Sequence, residues 1–314
     1  MDIRTYARGD RWPAFRHTMW DMTQNAVEVR GLRKQYGEVT AVDGLDLTIR
    51  QGEVFGLLGP NGAGKSTTVE ILQGHRARDG GEVSVLGADP ATAGRAWRSR
   101  VGIVWQDESA PAELTVRETV EHFARYYPAP RDPAEVIALV GLEPKRDQRV
   151  KGLSGGQRRR LDVALGVIGD PELLLLDEPT TGFDPAARRQ FWDLIRLLAA
   201  EGTTIVLTTH YLEEAEALAD RLAVIAGGRV VAEGEPAELR SRFGTGATVE
   251  WTGADGAPQS VATETPTRTV AELMARFEGE IPGLKIGRPT LEDVYLRLTG
   301  QLVPTTAQPL EDAR

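Results

Sequence analysis

The feature that most constrains the fold is a glycine-rich segment, Gly59 to Ser66, which follows the apolar run Val54 to Leu58. The segment matches the phosphate-loop pattern G-x-x-x-x-G-K-[ST] in full. A short, continuous apolar run is typical of a strand buried on both faces, and the residues after Ser66 continue as a helix. Strand, loop and helix in this order predict an α/β fold whose loop binds the phosphates of a nucleotide.

The loop residues have separate tasks in phosphate binding. Glycines allow backbone N–H groups to turn toward phosphate oxygens, and the helix N-terminus adds its dipole. We expect Lys65 to reach the β- and γ-phosphates and Ser66 to offer its hydroxyl to Mg²⁺. A glycine-rich turn without a ligand is the alternative, which the strand–helix setting disfavours. The nucleotide-binding residues predicted here are Gly59, Pro60, Asn61, Gly62, Ala63, Gly64, Lys65, Ser66 and Thr67.

Two further motifs follow the loop. Leu153-Ser154-Gly155-Gly156-Gln157 precedes a predicted helix, and the apolar run Leu173 to Leu176 ends on the acidic pair Asp177-Glu178. Taken alone, the first is a loop or helix N-cap and the second is a solvated strand end. Their position after a phosphate loop favours a functional interpretation of both.

The order of these motifs, with Gln106 and His210 in their places, resembles the nucleotide-binding subunit of ABC transporters over about residues 26–240. Val54 to Lys65 and Pro289 to Leu296 also resemble drug-resistance exporter ATPases of the daunorubicin-resistance type. The resemblance implies a P-loop ABC ATPase of the α/β class. Such a protein has a RecA-like core, an antiparallel β subdomain and a helical subdomain, and this chain adds a small C-terminal α+β domain.

The resemblance also implies the roles of the matched residues in hydrolysing ATP. Tyr36 would stack on adenine with Val42 beside it, and Asp177, Ser66 and Gln106 would hold Mg²⁺. Glu178 would orient or deprotonate the attacking water. The predicted catalytic residues are therefore Glu178, His210 and Lys65.

Other matched residues imply a second subunit. Ser154, Gly155 and Gly156, within the signature Leu153 to Gln157, would contact the γ-phosphate of a nucleotide held by the opposite subunit. Asp184 would lie in the D-loop that connects the two subunits. The resemblance thus implies a head-to-tail homodimer around two ATP molecules.

The sequence predicts four segments, the largest being the nucleotide-binding domain at residues 26–242, with its helical subdomain at about 97–166. We interpret residues 1–25 as a disordered extension, or as the product of an upstream start codon where Met19 or Met22 is the true start. An amphipathic surface anchor is the alternative. Residues 246–300 form the C-terminal domain, with helices capped by Thr269 and Thr290, and 301–314 a flexible tail.

Composition limits the partners. The net charge of −9 argues against nucleic acid, and we interpret Arg158-Arg159-Arg160 as a solvated helix face. The chain has no cysteine, which excludes disulfides and fits a reducing cytoplasm. No uncharged apolar run approaches the ~20 residues that span a bilayer. A membrane role would therefore act through a separate transmembrane permease, with this chain at the cytoplasmic face of the membrane.

Three kinds of ABC protein are considered as functions of this sequence. Ribosome-acting ABC ATPases typically carry two cassettes, whereas this chain has one. Chromosome-maintenance ATPases insert a long coiled coil between loop and signature, for which the stretch from Lys65 to Ser154 is too short. A transporter ATPase fits best. Drug or other hydrophobic small-molecule efflux is the preferred function, with lipid, polysaccharide or ion export as the alternative.

Overall fold

The computed structural model describes residues 24–105, 113–244, 246–253, 255–277, 280–287 and 290–300. Gln106, most of the predicted N-terminal extension and the predicted tail 301–314 lie outside these residues. The described strands are β1 (Asn25–Tyr36), β2 (Val39–Arg50), β3 (Val54–Leu58), β4 (Gly80–Val85), β5 (Val101–Val104), β6 (Leu173–Asp177), β7 (Thr204–Thr209), β8 (Arg221–Ala226), β9 (Arg229–Gly234), β10 (Ala247–Thr252), β11 (Pro258–Thr263) and β12 (Lys285–Gly287).

The helices alternate with these strands in the first part of the chain and cluster in its middle. They are α1 (Lys65–Leu72), α2 (Arg95–Arg98), α3 (Val116–Ala124), α4 (Pro133–Leu139), α5 (Gly155–Val167), α6 (Pro185–Ala200), α7 (Leu212–Leu218), α8 (Pro236–Phe243), α9 (Pro266–Phe277) and α10 (Leu291–Leu298). No helix within the described ranges is both long enough and apolar enough to cross a membrane.

A six-stranded sheet forms the centre, in the order β5-β6-β7-β3-β8-β9. Its neighbouring strands pair in parallel except β9, which is antiparallel to β8. Every residue of β3 and β7 is buried, as expected of parallel strands covered on both faces. Because the parallel strands share one carboxyl edge, the segments that follow β3, β6 and β7 lie at that edge. These segments carry the phosphate loop, Glu178 and His210.

A three-stranded antiparallel sheet, in the order β2-β1-β4, packs against the central sheet. Side chains from both sheets, such as Leu32 and Ile49 with Phe55 and Leu57, share one buried cluster. The sequence at 26–30 and 45–49 alternates apolar and polar residues and predicts strands there, as it does at 82–86. The structure has β1, β2 and β4 at these places, and β1 and β2 are longer than the alternation indicates.

The helical segment contains α3 to α5. Thr115 and Glu118 match a capping box, a pattern that predicts the start of a helix, and this capping box begins α3. The prediction of helical character from Trp97 onward is wrong after α2, which ends at Arg98. Strand β5 falls inside the range 97–166 and pairs with β6 in the central sheet. A run of four apolar residues is too short for its periodicity to distinguish a strand from a helix.

The small C-terminal unit consists of β10 to β12 with α9 packed on one face through Trp251 and Leu273. The prediction that Thr269 caps α9 is wrong, because the helix begins at Pro266 and Thr269 lies within it. The Thr269 hydroxyl donates to the Thr265 carbonyl at 3.3 Å. Proline at the first position of a helix leaves no donor unpaired, so the helix begins there.

The last helix, α10, is capped by Thr290 as predicted, with Asp293 completing the capping box. Its buried residue Leu291, however, packs with Leu58, Ala215 and Leu239 of the nucleotide-binding core. The structure therefore attaches α10 to that core, although the sequence placed it in the domain at 246–300.

Candidate functional site

The phosphate loop lies between β3 and α1 and requires glycine at two close approaches. A Cβ on Gly59 would lie 2.4 Å from the carbonyl oxygen of Ile225, and one on Gly64 would lie 2.3 Å from that of Ala41. Gly64 also has φ +103°, which favours glycine. The tight packing places the loop backbone at the N-terminus of α1, where N–H groups can face an anion.

Lys65, the first residue of α1, points back into the loop. Its ammonium donates to the carbonyl oxygens of Gly59 at 2.8 Å and Pro60 at 3.2 Å. The side chain is almost fully buried, and burial lowers the pKa of the ammonium, while Glu178 and Asp177 oppose the shift. A buried cation is thus held within the loop, next to two carboxylates.

Gly227-Gly228 lies between two apolar runs of the sequence, a pattern that predicts a β-hairpin, and the hairpin of β8 and β9 that it forms contacts the phosphate loop. Gly228 N–H donates to the Ala63 carbonyl at 3.2 Å, and the Gly228 carbonyl accepts from Asp43 N–H at 2.9 Å. Arg229 pairs with the Asp43 carboxylate at 2.6 Å. The sequence predicted the hairpin without indicating that it contacts the phosphate loop.

Asp177 ends β6 opposite the start of α1. The Ser66 hydroxyl lies 3.5 Å from Asp177 Oδ1, which also accepts from the Thr208 hydroxyl. Mg²⁺ takes oxygen ligands at about 2.0–2.1 Å in octahedral geometry, so one ion could be held by both oxygens directly or through water. The donor set that the structure brings together therefore fits Mg²⁺.

Glu178 and His210 form a pair at the ends of β6 and β7. Glu178 Oε1 lies 3.3 Å from His210 Nδ1, and the Thr181 hydroxyl lies 3.4 Å from Glu178 Oε2. Glu178 has φ +43°, a conformation that costs a non-glycine residue about 1–3 kcal/mol and recurs at functional sites. Its N–H donates to the Thr208 hydroxyl at 3.0 Å, which fixes the turn.

Arg159 on α5 contradicts the interpretation of its basic run as a solvated helix face. Its guanidinium is buried and donates to the carbonyl oxygens of Pro179 at 3.0 Å, Asp177 at 2.9 Å and Trp105. Burial lowers its pKa, which the carboxylates of Asp162 and Asp177 oppose. Three carbonyls from two segments, one after β5 and one at the end of β6, satisfy this cation. The run of three arginines gave no signal that the middle one serves as such a link.

The signature residues Ser154 to Gln157 begin α5 at the surface. Ser154 is the N-cap: its hydroxyl accepts from Gln157 N–H at 3.3 Å, and its own N–H donates to Gln157 Oε1 at 3.1 Å. A Cβ on Gly155 would meet no atom within 4 Å, whereas Leu153 is buried. The exposed glycine and the helix N-terminus leave room for an anion from outside the chain.

Asp184 of the predicted D-loop is the N-cap of α6. Its Oδ1 accepts from the N–H groups of Ala186 and Ala187, both at 2.9 Å. This cap fixes where α6 begins relative to Glu178.

Tyr36 and Val42, predicted to bind adenine together, differ in access. Tyr36 is exposed at the β1–β2 turn, with the Arg76 guanidinium 5.2 Å and the Lys34 ammonium 5.4 Å from its ring centroid. Val42 is 0% exposed and lies in the core below Gly64. The Val42 side chain therefore packs in the core beneath the phosphate loop, and its contact with adenine stays a prediction.

Comparison with known proteins gives the family directly. Residues 42–181 match the family described as ABC transporter. The chain is 44% identical over 303 residues to the Nod factor export ATP-binding protein I of Ralstonia nicotianae, across 88% of this chain and 94% of that protein. It is 40% identical over 307 residues to the daunorubicin/doxorubicin resistance ATP-binding protein DrrA of Streptomyces peucetius, across 88% and 92%.

Solved structures show the same fold. An ATP-binding subunit of an ABC transporter aligns with a TM-score of 0.63 and 26% identity over 69% of this chain and 93% of that chain. A dimeric, post-hydrolysis ATP-binding cassette bound to ADP and Pi aligns with a TM-score of 0.60 and 25% identity over 67% and 98%. Since the curated relatives match along nearly their whole length, the chain belongs to the ABC transporter family as an ATP-binding and ATP-hydrolysing subunit.

Proposed function

We propose that this ATPase drives export through a separate transmembrane permease, as one of two ATPase subunits that close around two ATP molecules. One observation carries the proposal. The phosphate loop with Lys65, the Ser66–Asp177 oxygen pair and the Glu178–His210 pair meet at the carboxyl edge of one sheet. A phosphate clamp, a cation site and a water-positioning pair are the parts that phosphoryl transfer to water requires.

Some of these residues neutralise charge in the reaction, and others position the attacking water. Lys65 neutralises charge on the β- and γ-phosphates, and the loop N–H groups hold their oxygens. Glu178 accepts a proton from the attacking water, while His210, held against Glu178, keeps that water and the γ-phosphate aligned. Ser66 and Asp177 would hold Mg²⁺ together with Gln106, which lies outside the described residues. The bound ion would supply additional positive charge at the phosphates.

The second subunit follows from where the signature lies. Ser154 to Gly156 face outward at the N-terminus of α5. We therefore assign them to the γ-phosphate held by the loop of the other subunit, in a symmetric head-to-tail homodimer. Tyr36 is assigned to stacking on adenine, and Asp184 to the contact between subunits.

A cleft beside the central sheet supports docking of the permease on the helical segment. It has a volume of about 310 Å³ and lies between β5 and the helical segment. Its lining combines aromatic side chains (Trp97, Trp105, Phe123 and Tyr127) with aliphatic ones and with the polar groups of Gln73, Arg98 and Asp162. A concave, mostly apolar site of this kind suits an inserted protein segment. Docking there would place the chain at the cytoplasmic face of the membrane, and Trp105 of the lining directly precedes Gln106 in the sequence.

The names of the two relatives support export. One is named for Nod factor export and the other for daunorubicin/doxorubicin resistance. We assign this chain to efflux of a drug or another hydrophobic small molecule; export of a lipid, polysaccharide or ion is the alternative. The permease would form the transport path and select the substrate.

Glu178→Gln tests the proposal, because the amide keeps the shape of the side chain and cannot accept the proton. Loss of a general base lowers turnover by ~10²–10⁴-fold, so the variant should bind ATP and hydrolyse it far more slowly. Turnover at the parent rate would contradict the assignment of Glu178.

The same variant identifies the partner. Tagged Glu178→Gln, trapped with ATP in its native cell, is recovered from detergent-solubilised membranes and its companions are identified. Lys65→Ala, which should not retain ATP, is the matched control. An ATP-dependent multi-span membrane protein supports export. Recovery of ribosomes or nucleic acid without a membrane protein would overturn the transport function and leave the ATPase chemistry in place.

A further inference from the structure

A stack of three side chains stands behind the water-positioning pair. The His210 and Tyr211 ring centroids are 4.1 Å apart with the ring planes tilted by 39°. On Tyr211 lies the Arg188 guanidinium, whose central carbon is 4.5 Å from the ring centroid. His210 in turn contacts Glu178 at 3.3 Å, so the stack ends on the carboxylate assigned to water. An arginine at this distance over a tyrosine ring makes a favourable cation–π contact.

Arg188 is fixed in the first turns of α6. That helix begins directly after Asp184, whose carboxylate caps it through Ala186 and Ala187 N–H. The capped helix end leaves the backbone of Arg188 little freedom relative to the D-loop. Any displacement of Asp184 therefore moves Arg188 with it.

A buried carboxyl on α7 holds the other side of the arrangement. Glu214 is fully buried and accepts from the Trp192 indole N–H of α6 at 3.3 Å. The positive charge of Arg188 is close enough to Glu214 to oppose the rise in its pKa that burial causes. Helices α6 and α7 are thus joined next to Tyr211 by this hydrogen bond, and farther along by one from the Arg196 guanidinium to the Ala217 carbonyl at 3.1 Å.

From this geometry we propose that Arg188 and Tyr211 are positioning residues that hold His210 against Glu178 and couple the D-loop helix to ATP hydrolysis. The inference rests on the proposed function of His210. Each side chain is assigned an indirect role, acting through the imidazole of His210. A shift of α6, as when a second subunit contacts Asp184, would change how firmly Tyr211 supports His210. The stack thereby makes water positioning in one subunit sensitive to the presence of the other.

The test uses the purified full-length protein and measures kcat and KM for ATP hydrolysis. Tyr211→Leu removes the ring face and Arg188→Gln removes the cation, and each should lower kcat about tenfold. KM should stay at the parent value, because Lys65 and Tyr36 are untouched. Tyr211→Phe retains the stack and should recover most of kcat. Arg189→Gln, at the exposed neighbouring position on α6, is the matched control and should keep the parent kcat.

A double-mutant cycle with His210→Ala shows whether the effect passes through the imidazole. Tyr211→Leu should cost nothing further in the His210→Ala background, since the ring then has nothing to position. Full additive loss would overturn the inference. So would a Tyr211→Phe variant as slow as Tyr211→Leu, or an Arg188→Gln variant as fast as Arg189→Gln.

The outcomes separate the inference from the proposed function. If His210→Ala keeps the parent kcat, the assignment of His210 fails and the inference falls with it. If His210→Ala is slow while Arg188→Gln and Tyr211→Leu are not, the inference alone fails. If thermal unfolding shows that Tyr211→Leu does not fold, the kcat of Arg188→Gln, alone and combined with His210→Ala, decides the question.

Discussion

Among single residues, three charged side chains beside the site are buried, and the structure stabilises each differently. Lys65 donates to the carbonyls of the loop that it serves. Arg159 donates to three backbone carbonyls, which offsets the cost of removing a guanidinium from water. Glu214 has the Trp192 indole as a donor and the charge of Arg188 nearby. A carboxyl in such surroundings makes stability depend on pH.

Glu214 supplies the prediction at this scale. Burial raises its pKa above that in the unfolded chain, and the nearby polar groups of Thr209, Thr180 and Trp192, of which the Trp192 indole donates a hydrogen bond, oppose the shift only in part. A carboxyl with a raised folded-state pKa contributes stability that is complete below the unfolded pKa and is lost as pH rises through the folded one. Glu214→Gln cannot ionise, so it should gain stability relative to the parent as pH rises through that interval.

Urea unfolding of parent and variant at several pH values measures the difference. Glu213→Gln, at the exposed neighbouring position on α7, is the control, and its difference from the parent should not grow with pH. If the free energy of unfolding of Glu214→Gln instead falls relative to that of the parent as pH rises, the fold favours the ionised carboxyl.

Among the helices and strands, α10 has a packing that connects the C-terminal end of the described chain to the core around the site. Its Leu291, with Tyr295 and Leu298 beside it, packs with residues of α7 and α8, and the Arg297 guanidinium donates to the Phe243 carbonyl at 2.9 Å. Helix α7 follows His210 directly, and Leu58 of the same buried cluster precedes the phosphate loop. The C-terminal helix therefore contributes to the core that holds the site.

Leu291→Ala measures that contribution. Leu291 is 1% exposed, and truncating a buried leucine costs about 2–5 kcal/mol of unfolding free energy. Leu197→Ala on α6, where the leucine is 38% exposed, should cost no more than about 0.5 kcal/mol. Chemical denaturation of the full chain compares the two. Equal, small losses would mean that α10 contributes little to the stability of the core.

At the scale of the whole molecule, the phosphate loop and the signature of one chain are assigned to different active sites. Lys65→Ala should disable the first and Gly155→Asp the second. The aspartate has room at Gly155, where no atom lies within 4 Å of a new Cβ, and an acidic residue suits a helix N-terminus. The carboxylate would repel a phosphate brought by a second subunit, while the fold is kept.

Mixing the two variants tests the assembly. Each variant alone should be inactive, but mixed dimers contain one site with an intact loop and an intact signature. With random pairing and independent sites, an equal mixture should recover about a quarter of the parent ATPase rate. Thermal unfolding of Gly155→Asp confirms that it is folded. A mixture as inactive as its parts would contradict sharing of sites between subunits.

The sequence by itself determined the family and the parallel strand that carries the phosphate loop, and it supplied the predictions for most site residues. Glycine, lysine and serine at fixed spacing form a local motif, because neighbours along the chain make the loop. The caps of α3, α5 and α10 were equally readable, since a cap is formed within four residues.

Only the tertiary structure decided which residues lie behind the site. Arg159 and α10 were misplaced by sequence reasoning, and the Arg188–Tyr211 stack and the support from Gly228 were not foreseen. Each depends on contacts between segments far apart in the chain, and no local pattern records which side chain a fold will bury. A solvated arginine and one satisfied by three distant carbonyls have the same sequence signal; the difference arises when the sheet and α5 meet.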